Sequence, residues 1–240
     1  MQIITTAVIK GGTGKTATAA SLAQLAATEG RRVLCIDLDP QGTLSNILQA
    51  DRSAPGAYDL LKGSAIHKTI QSTAQGLDVI AAAPGLATYP AKSYLLADAL
   101  KPISKEYDLC FIDTPPSFGP LLFEALNAAT GLIITLNADS ASIQGQKYML
   151  ELAKNAKSNN KRLKVLGCII TMYDRRPIIS RQLHDLIEEN GSALHCPLLG
   201  TISRSVAILE ANALRLNLYE YAPKSKPAQE YRAIYNKLFD

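Results

Sequence analysis

The heptapeptide Lys10-Gly11-Gly12-Thr13-Gly14-Lys15-Thr16 decides how this chain folds. It stands between an apolar run at 3–9, interrupted by Thr5 and Thr6, and a helical pattern at 16–29. Strand, glycine-rich loop and helix in that order make a phosphate cradle. Gly11, Gly12 and Gly14 let backbone N–H groups turn inward, and the following helix adds the positive end of its dipole. Lys15 is placed to neutralise β- and γ-phosphates, and Thr16 offers a hydroxyl to Mg²⁺. The usual loop requires glycine at position 9; this chain has Ile9 there and a second lysine, Lys10, before the glycines.

Outward from the loop, short β-branched runs alternate with helical patterns. Strands are expected at 3–9, 33–37, 77–82, 109–113, 132–136, 165–172 and 198–202, and helices at 15–29, 92–105, 120–130, 143–158, 178–189 and 228–239. Near-continuous apolar strands separated by helices predict an α/β fold, a mostly parallel twisted sheet with helices on both faces. The 240 residues contain no dividing linker, so one domain is expected over 1–240, with no helix-turn-helix domain ahead of the first strand.

Composition narrows the function classes. No run of 18 apolar residues occurs, and the first residues lack a basic start and a cleavage site, so a cytoplasmic chain is expected. Cys35, Cys110, Cys168 and Cys196 are widely spaced without a CxxC pair, which argues for core residues rather than metal or cluster ligands. His67, His184 and His195 show no metal-ligand spacing. Charge is uneven: residues 1–150 hold 11 Lys/Arg against 12 Asp/Glu, whereas 151–240 hold 14 against 9. The excess points to a polyanion-facing surface in the C-terminal part.

In a parallel sheet, sites form at the carboxyl ends of strands. Two expected strands end in acid, one running into Asp37-Leu38-Asp39-Pro40-Gln41-Gly42 and the other into Asp113-Thr114-Pro115-Pro116. Asp113 fits the acid that partners Mg²⁺; Asp39 either orients a water or holds magnesium waters, with Asp37 in support.

With these blocks in order, the chain resembles the ParA/Soj partition ATPases, of the wider group that includes MinD and the nitrogenase iron protein. The resemblance rests on Lys10–Thr16 as a deviant Walker A motif, Asp37–Ser45 as switch I, and Phe111–Ser117 as Walker B and switch II. Later landmarks are the segments from Thr171 to Arg176, Thr201 to Val206 and Tyr221 to Ala228, so the likeness spans the chain. It implies a P-loop NTPase that binds ATP and Mg²⁺ and forms a homodimer with ATP sandwiched between subunits. Lys10 would reach the partner's phosphates in trans, while Gly11 to Thr16 and Ala17 form the cis cradle, with Lys15 and Thr16 as phosphate and Mg²⁺ ligands. Asp39 would serve hydrolysis and the metal, Asp113 would be the Walker B acid, and Met172 and Ser203 would lie beside the base.

The resemblance also implies slow ATP hydrolysis stimulated by a ParB-like or other small DNA-binding protein. The ATP dimer would bind DNA without sequence preference on the nucleoid, in the service of plasmid or chromosome segregation. Arg204 best matches the family block for DNA, with Arg175, Arg176, Arg181 and Arg215 as companions. Four departures stand out: Ile9 for a polar residue, Ser203 and Thr135 for prolines, and Ala207 for a basic residue; none is expected to touch the phosphate chemistry. Two other readings compete. A MinD-like positioning ATPase needs a C-terminal membrane helix, but Tyr231, Ile234, Tyr235 and Leu238 form a face suited to packing on the domain, so no membrane partner is expected. A small-molecule kinase or carboxylase on this scaffold needs a substrate constellation that is not found.

Overall fold

The computed structural model describes residues 1–90 and 95–239. The apolar runs become strands β1 (Gln2–Ala7), β2 (Val33–Asp37), β3 (Ile70–Ser72), β4 (Asp78–Ile80), β5 (Leu109–Asp113), β6 (Gly131–Leu136), β7 (Lys164–Tyr173) and β8 (Leu198–Ser203). The helices are α1 (Lys15–Thr28), α2 (Thr43–Ile47), α3 (Ala57–Leu61), α4 (Leu95–Ala99), α5 (Pro120–Ala128), α6 (Ser140–Ala156), α7 (Ile178–Ala193), α8 (Val206–Ala213), α9 (Leu218–Tyr221) and α10 (Lys226–Phe239).

One sheet holds all eight strands in the order β3-β4-β2-β5-β1-β6-β7-β8. Every neighbouring pair is parallel except β3 with β4. The chain leaves β1 through α1 toward β2 on one side and leaves β5 through α5 toward β6 on the other. The carboxyl ends of the adjacent β1 and β5 therefore open where strand order reverses, which is where ligand crevices form in such sheets.

Burial on both faces explains the near-continuous apolar strands. Ile4, Cys35, Phe111, Ile133 and Ile169 pack on one side with α1 and with Tyr231, Ile234 and Tyr235 of α10. Leu34, Ile36, Cys110 and Ile112 pack on the other with Leu60, Leu96 and Leu121, and Ile134, Cys168 and Ile170 with Met149, Leu152 and Ile187. Leu22 and Leu25 of α1 are wholly buried, so cutting either back to alanine would cost about 2–5 kcal/mol. That packing anchors the helix whose first turn carries Lys15 and Thr16.

The differences from expectation have local causes. β1 ends at Ala7 because Val8 and Ile9 already enter the loop. The edge strand β3 is Ile-Gln-Ser, too short and polar to show a period. The helix expected at 92–105 is described only as α4, followed by turns through Pro102, where an interior helical N–H would be lost; residues 92–94 lie outside the described residues. The short helices α2, α3, α8 and α9 have too few turns to declare a face.

Candidate active site

Three strand ends converge on the loop after β1. The register sets Thr6 and Asp37 on either side of Asp113, so β2 and β5 deliver their terminal acids next to residues 10–16. Gly12 and Gly14 have φ values of 70° and 75°, left-handed values that suit glycine. Space matters as well at Gly14, where a Cβ would stand 3.1 Å from the Thr171 side chain. Thr171 is close because its hydroxyl donates to the Thr13 carbonyl at 2.8 Å. Thr135 approaches from β6, its hydroxyl 3.1 Å from that of Thr13. Two strand threonines thus brace the loop, and Thr135, a departure expected to lie clear of the phosphate chemistry, supports the cradle itself.

The two lysines part company. Lys15 is only 6% exposed, and its ammonium donates to the Lys10 carbonyl at 3.2 Å. Burial lowers its pKa, against the attraction of Asp113 and Asp39. Lys10 is at the rim with its side chain 34% exposed, ion-paired with Asp139. Asp139 is also the N-cap of α6, accepting from the Ser142 N–H at 2.9 Å.

Asp113 is wholly buried. One oxygen accepts from the Thr16 hydroxyl at 2.6 Å, while Oδ1 is buried without a hydrogen-bond partner. Burial, reinforced by the neighbouring charge of Asp37, pushes the Asp113 pKa up to about 8, against the Thr16 hydrogen bond and Lys15. An orphaned carboxylate oxygen beside a loop hydroxyl fits a hard divalent cation such as Mg²⁺. Asp37 is likewise raised by burial, to about 6, although Ser45 opposes the shift. It accepts from the Ser45 N–H at 2.8 Å and hydroxyl at 2.7 Å, and from the Asp39 N–H at 3.1 Å. Asp39 is partly buried and accepts from the Gln41 N–H at 3.0 Å. Asp37 therefore shapes the 37–45 segment, while the charge of Asp39 acts on Lys15.

Arg52, which the sequence did not single out, clamps that segment from outside. Its guanidinium donates to the Pro40 carbonyl at 2.8 Å and the Gln41 carbonyl at 2.9 Å. Gly42, at φ 70°, admits it: a Cβ there would lie 2.2 Å from the guanidinium carbon.

A cleft of about 940 Å³ opens beyond the ends of β7 and β8. Arg175, Arg176, Arg181 and Arg204 meet around it, with Ser203 and Glu230 in its wall. Arg176 is engaged by Asp174 at 2.7 Å, and Arg181 donates to the Arg175 carbonyl at 3.0 Å. Arg215 is elsewhere, in the turn after α8, where its carbonyl accepts from Gln49 and Gln75. Ser203 donates through its N–H and its hydroxyl to the two Glu230 oxygens, both at 2.7 Å. Met172 has φ 51°, at the point where the β7–β8 register shifts. Ala17 is partly buried in the first turn of α1. The four cysteines are buried and unpaired. His184, against expectation, comes with Asp185 and Glu188 as a group whose potential ligand atoms lie within 4.8 Å of one another; Asp185 and Glu188 are exposed, and Arg181 lines the same cleft as His184 and Asp185, so the group by itself defines no metal centre.

Known proteins resemble the chain in sequence and in fold. Residues 1–165 match the family described as AAA domain. The chain is 32% identical to the chromosome-partitioning ATPase Soj of Thermus thermophilus over 229 residues, 94% of this chain and 90% of that one. The chain belongs to the ParA/Soj family of partitioning ATPases. Its fold superposes on apo McdA of Cyanothece with a TM-score of 0.87 at 25% identity, covering 99% of both chains. It also matches cobyrinic acid a,c-diamide synthase of Mycobacterium smegmatis, solved with ADP and magnesium, with a TM-score of 0.83 at 28% identity over 99% of this chain and 94% of that one.

Within this ParA/Soj-family chain, the residues missed from sequence are supports rather than members of motifs. Asp139 had a signal in Asp139-x-x-Ser142, the spacing of a helix cap. Arg52 had none, because its partners are backbone carbonyls 11 and 12 residues away.

Proposed function

We propose that this chain is an ATPase that dimerises on binding ATP and Mg²⁺, holds DNA without sequence preference in that state, and lets go when a small partner protein stimulates hydrolysis. Such a cycle would segregate a plasmid, a chromosome region or another large cargo, with the chain cytoplasmic and on the nucleoid when ATP is bound. Lys10 carries this reading. It is at the rim, outside the cradle that Lys15 fills, and a loop cation that completed a partner's phosphate site would couple nucleotide binding to dimerisation, much as an arginine finger supplied in trans does.

Backbone N–H groups of Gly11, Gly12, Thr13 and Gly14 line the cis cradle, with Lys15 inside it and Ala17 in the turn that follows. The Thr16 hydroxyl and Asp113 would hold Mg²⁺, which supplies neutralisation of charge on the β- and γ-oxygens. Asp39 orients the attacking water or the waters around the metal. Met172 and Ser203 stand on the side of the base. The four arginines around the cleft offer cations to DNA phosphates, and Arg215 would contribute only to a second patch. The apolar side of α10 is spent on the core through Tyr231, Ile234 and Tyr235, which favours DNA over a membrane as the surface used.

Sedimentation velocity with ATP and Mg²⁺ tests the reading. Wild type should form dimers and bind a random-sequence duplex, with affinity falling steeply between low and moderate salt. Lys10→Ala should retain nucleotide and stay monomeric, whereas Lys15→Ala should bind no nucleotide. A wild-type chain that stayed monomeric with ATP and ignored DNA at low salt would sink the proposal.

A further inference from the structure

Away from the nucleotide end, α6, the last turn of α7 and the start of β7 enclose a groove of about 970 Å³. Its floor is apolar, formed by Leu150, Ala153, Val165 and Leu194, and Leu194 is 42% exposed. Its rim is cationic. Lys147 and Lys154 stand on α6, Lys157 is its C-cap, and Lys164 is the first residue of β7. All four lysines are exposed, and none is ion-paired among the described residues. The lining contains one carboxylate, Glu151.

The pattern along α6 is ordered. Lys147, Leu150, Lys154 and Lys157 follow one another at spacings of three, four and three, so they form one stripe. The stripe is about 15 Å long at the rise of an α-helix, the length of roughly three turns of a partner helix. A recessed apolar floor between cations suits the mode in which an amphipathic helix lies in a groove and presents anchors three and four residues apart. Nucleic acid fits less well, since phosphate tracking uses cations and leaves an apolar floor unfilled. A bilayer surface calls for a projecting apolar face, and this one is recessed.

We propose that this groove docks an acidic amphipathic helix of a partner protein. Apolar anchors of the incoming helix seat on Leu150, Val165 and Leu194, and its flanking carboxylates meet the four lysines. The site is independent of nucleotide chemistry, although α6 is capped by Asp139, the partner of Lys10.

The probe is a fluorescein-labelled helical peptide with leucines at i, i+3, i+4 and i+7 flanked by glutamates, read by anisotropy on the full chain. A control peptide carries lysine in place of each glutamate. The acidic peptide should bind, and K154E/K157E should weaken it by about tenfold or more while allowing the lysine peptide to bind. Leu194→Ser should weaken the acidic peptide with every charge in place, and circular dichroism melting should show both variants folded. The proposal is overturned if the acidic peptide binds no better than the lysine control, or equally well to K154E/K157E. It is also overturned if only a random duplex or phosphatidylglycerol vesicles respond to that charge reversal.

Discussion

The ammonium of Lys10 is ion-paired with the carboxylate of Asp139, the residue that also caps α6. If Lys10 acts on another subunit's phosphates as proposed, the pair engages it within its own subunit until it is drawn away. A half-exposed pair of this kind is worth about 0.2–1 kcal/mol. Asp139→Asn keeps an oxygen for the Ser142 N–H and removes the charge. In sedimentation velocity with ATP it should dimerise at protein concentrations up to about thirtyfold lower than wild type, that energy counted once for each of the two subunits and converted to an equilibrium ratio. Asp139→Ala also loses the cap and should destabilise the fold by about 1 kcal/mol. Unchanged dimerisation in Asp139→Asn would mean that the pair does not restrain Lys10.

Asp113 binds its proton more tightly in the folded chain, at a pKa of about 8 against its ordinary 3.8, because burial and Asp37 disfavour the charge. Between those values the folded state holds more protons than the unfolded one, so stability falls as pH rises. The melting temperature of the metal-free protein should therefore drop from pH 5 to 8.5. Asp113→Asn should flatten that slope and raise stability at the alkaline end by roughly 1–3 kcal/mol, the cost of an uncompensated buried polar group. The same variant should lose Mg²⁺-dependent hydrolysis. An equal slope in wild type and variant would remove Asp113 as the source.

Much of this site was legible because its parts are contiguous. The strand–loop–helix block at residues 2–28 and the two acid-ended strands carry their chemistry on neighbouring residues, and both acid-ended strands occupy the expected bounds 33–37 and 109–113. What was not legible depends on distance in sequence. Thr135 and Thr171 reach Thr13 across 122 and 158 residues, and Arg52 finds carbonyls rather than a complementary side chain. Strand β3 escaped because three residues carry no period. Arg175, Arg176, Arg181 and Arg204 come from the region after β7 and from the end of β8, and only strand adjacency brings them to one cleft, leaving Arg215 outside.

Ser203, one of the departures from the pattern that the family resemblance implies, is held by Glu230. Both donors of Ser203 are used on that carboxylate at 2.7 Å, and a proline has no N–H to give. Ser203→Pro should cost about 1–3 kcal/mol alone, because it strips hydrogen bonds from a partly buried charge. In a Glu230→Leu background the same change should cost at least 1 kcal/mol less, as a double-mutant cycle in urea would measure. Equal costs in both backgrounds would show that the two side chains are energetically independent.

Asp37 and Asp39 stand two residues apart and should fail in different ways. Asp37 is fully buried, and its carboxylate accepts from Ser45 twice and from the Asp39 N–H. Asp37→Ala leaves those donors facing an apolar interior, and the loss should be about 3 kcal/mol in urea melts, with weakened nucleotide binding as a consequence. Asp39 is partly buried and its carboxylate accepts from the Gln41 N–H, which closes a local turn. Asp39→Ala should change stability by less than about 1 kcal/mol, leave ATP binding intact and stop phosphate release, so that the ATP-bound dimer accumulates. That outcome would assign Asp39 to hydrolysis, in keeping with a charge that acts on Lys15 whereas that of Asp37 is taken up by Ser45. Normal turnover in Asp39→Ala, or full stability in Asp37→Ala, would reverse the division of labour between the two acids.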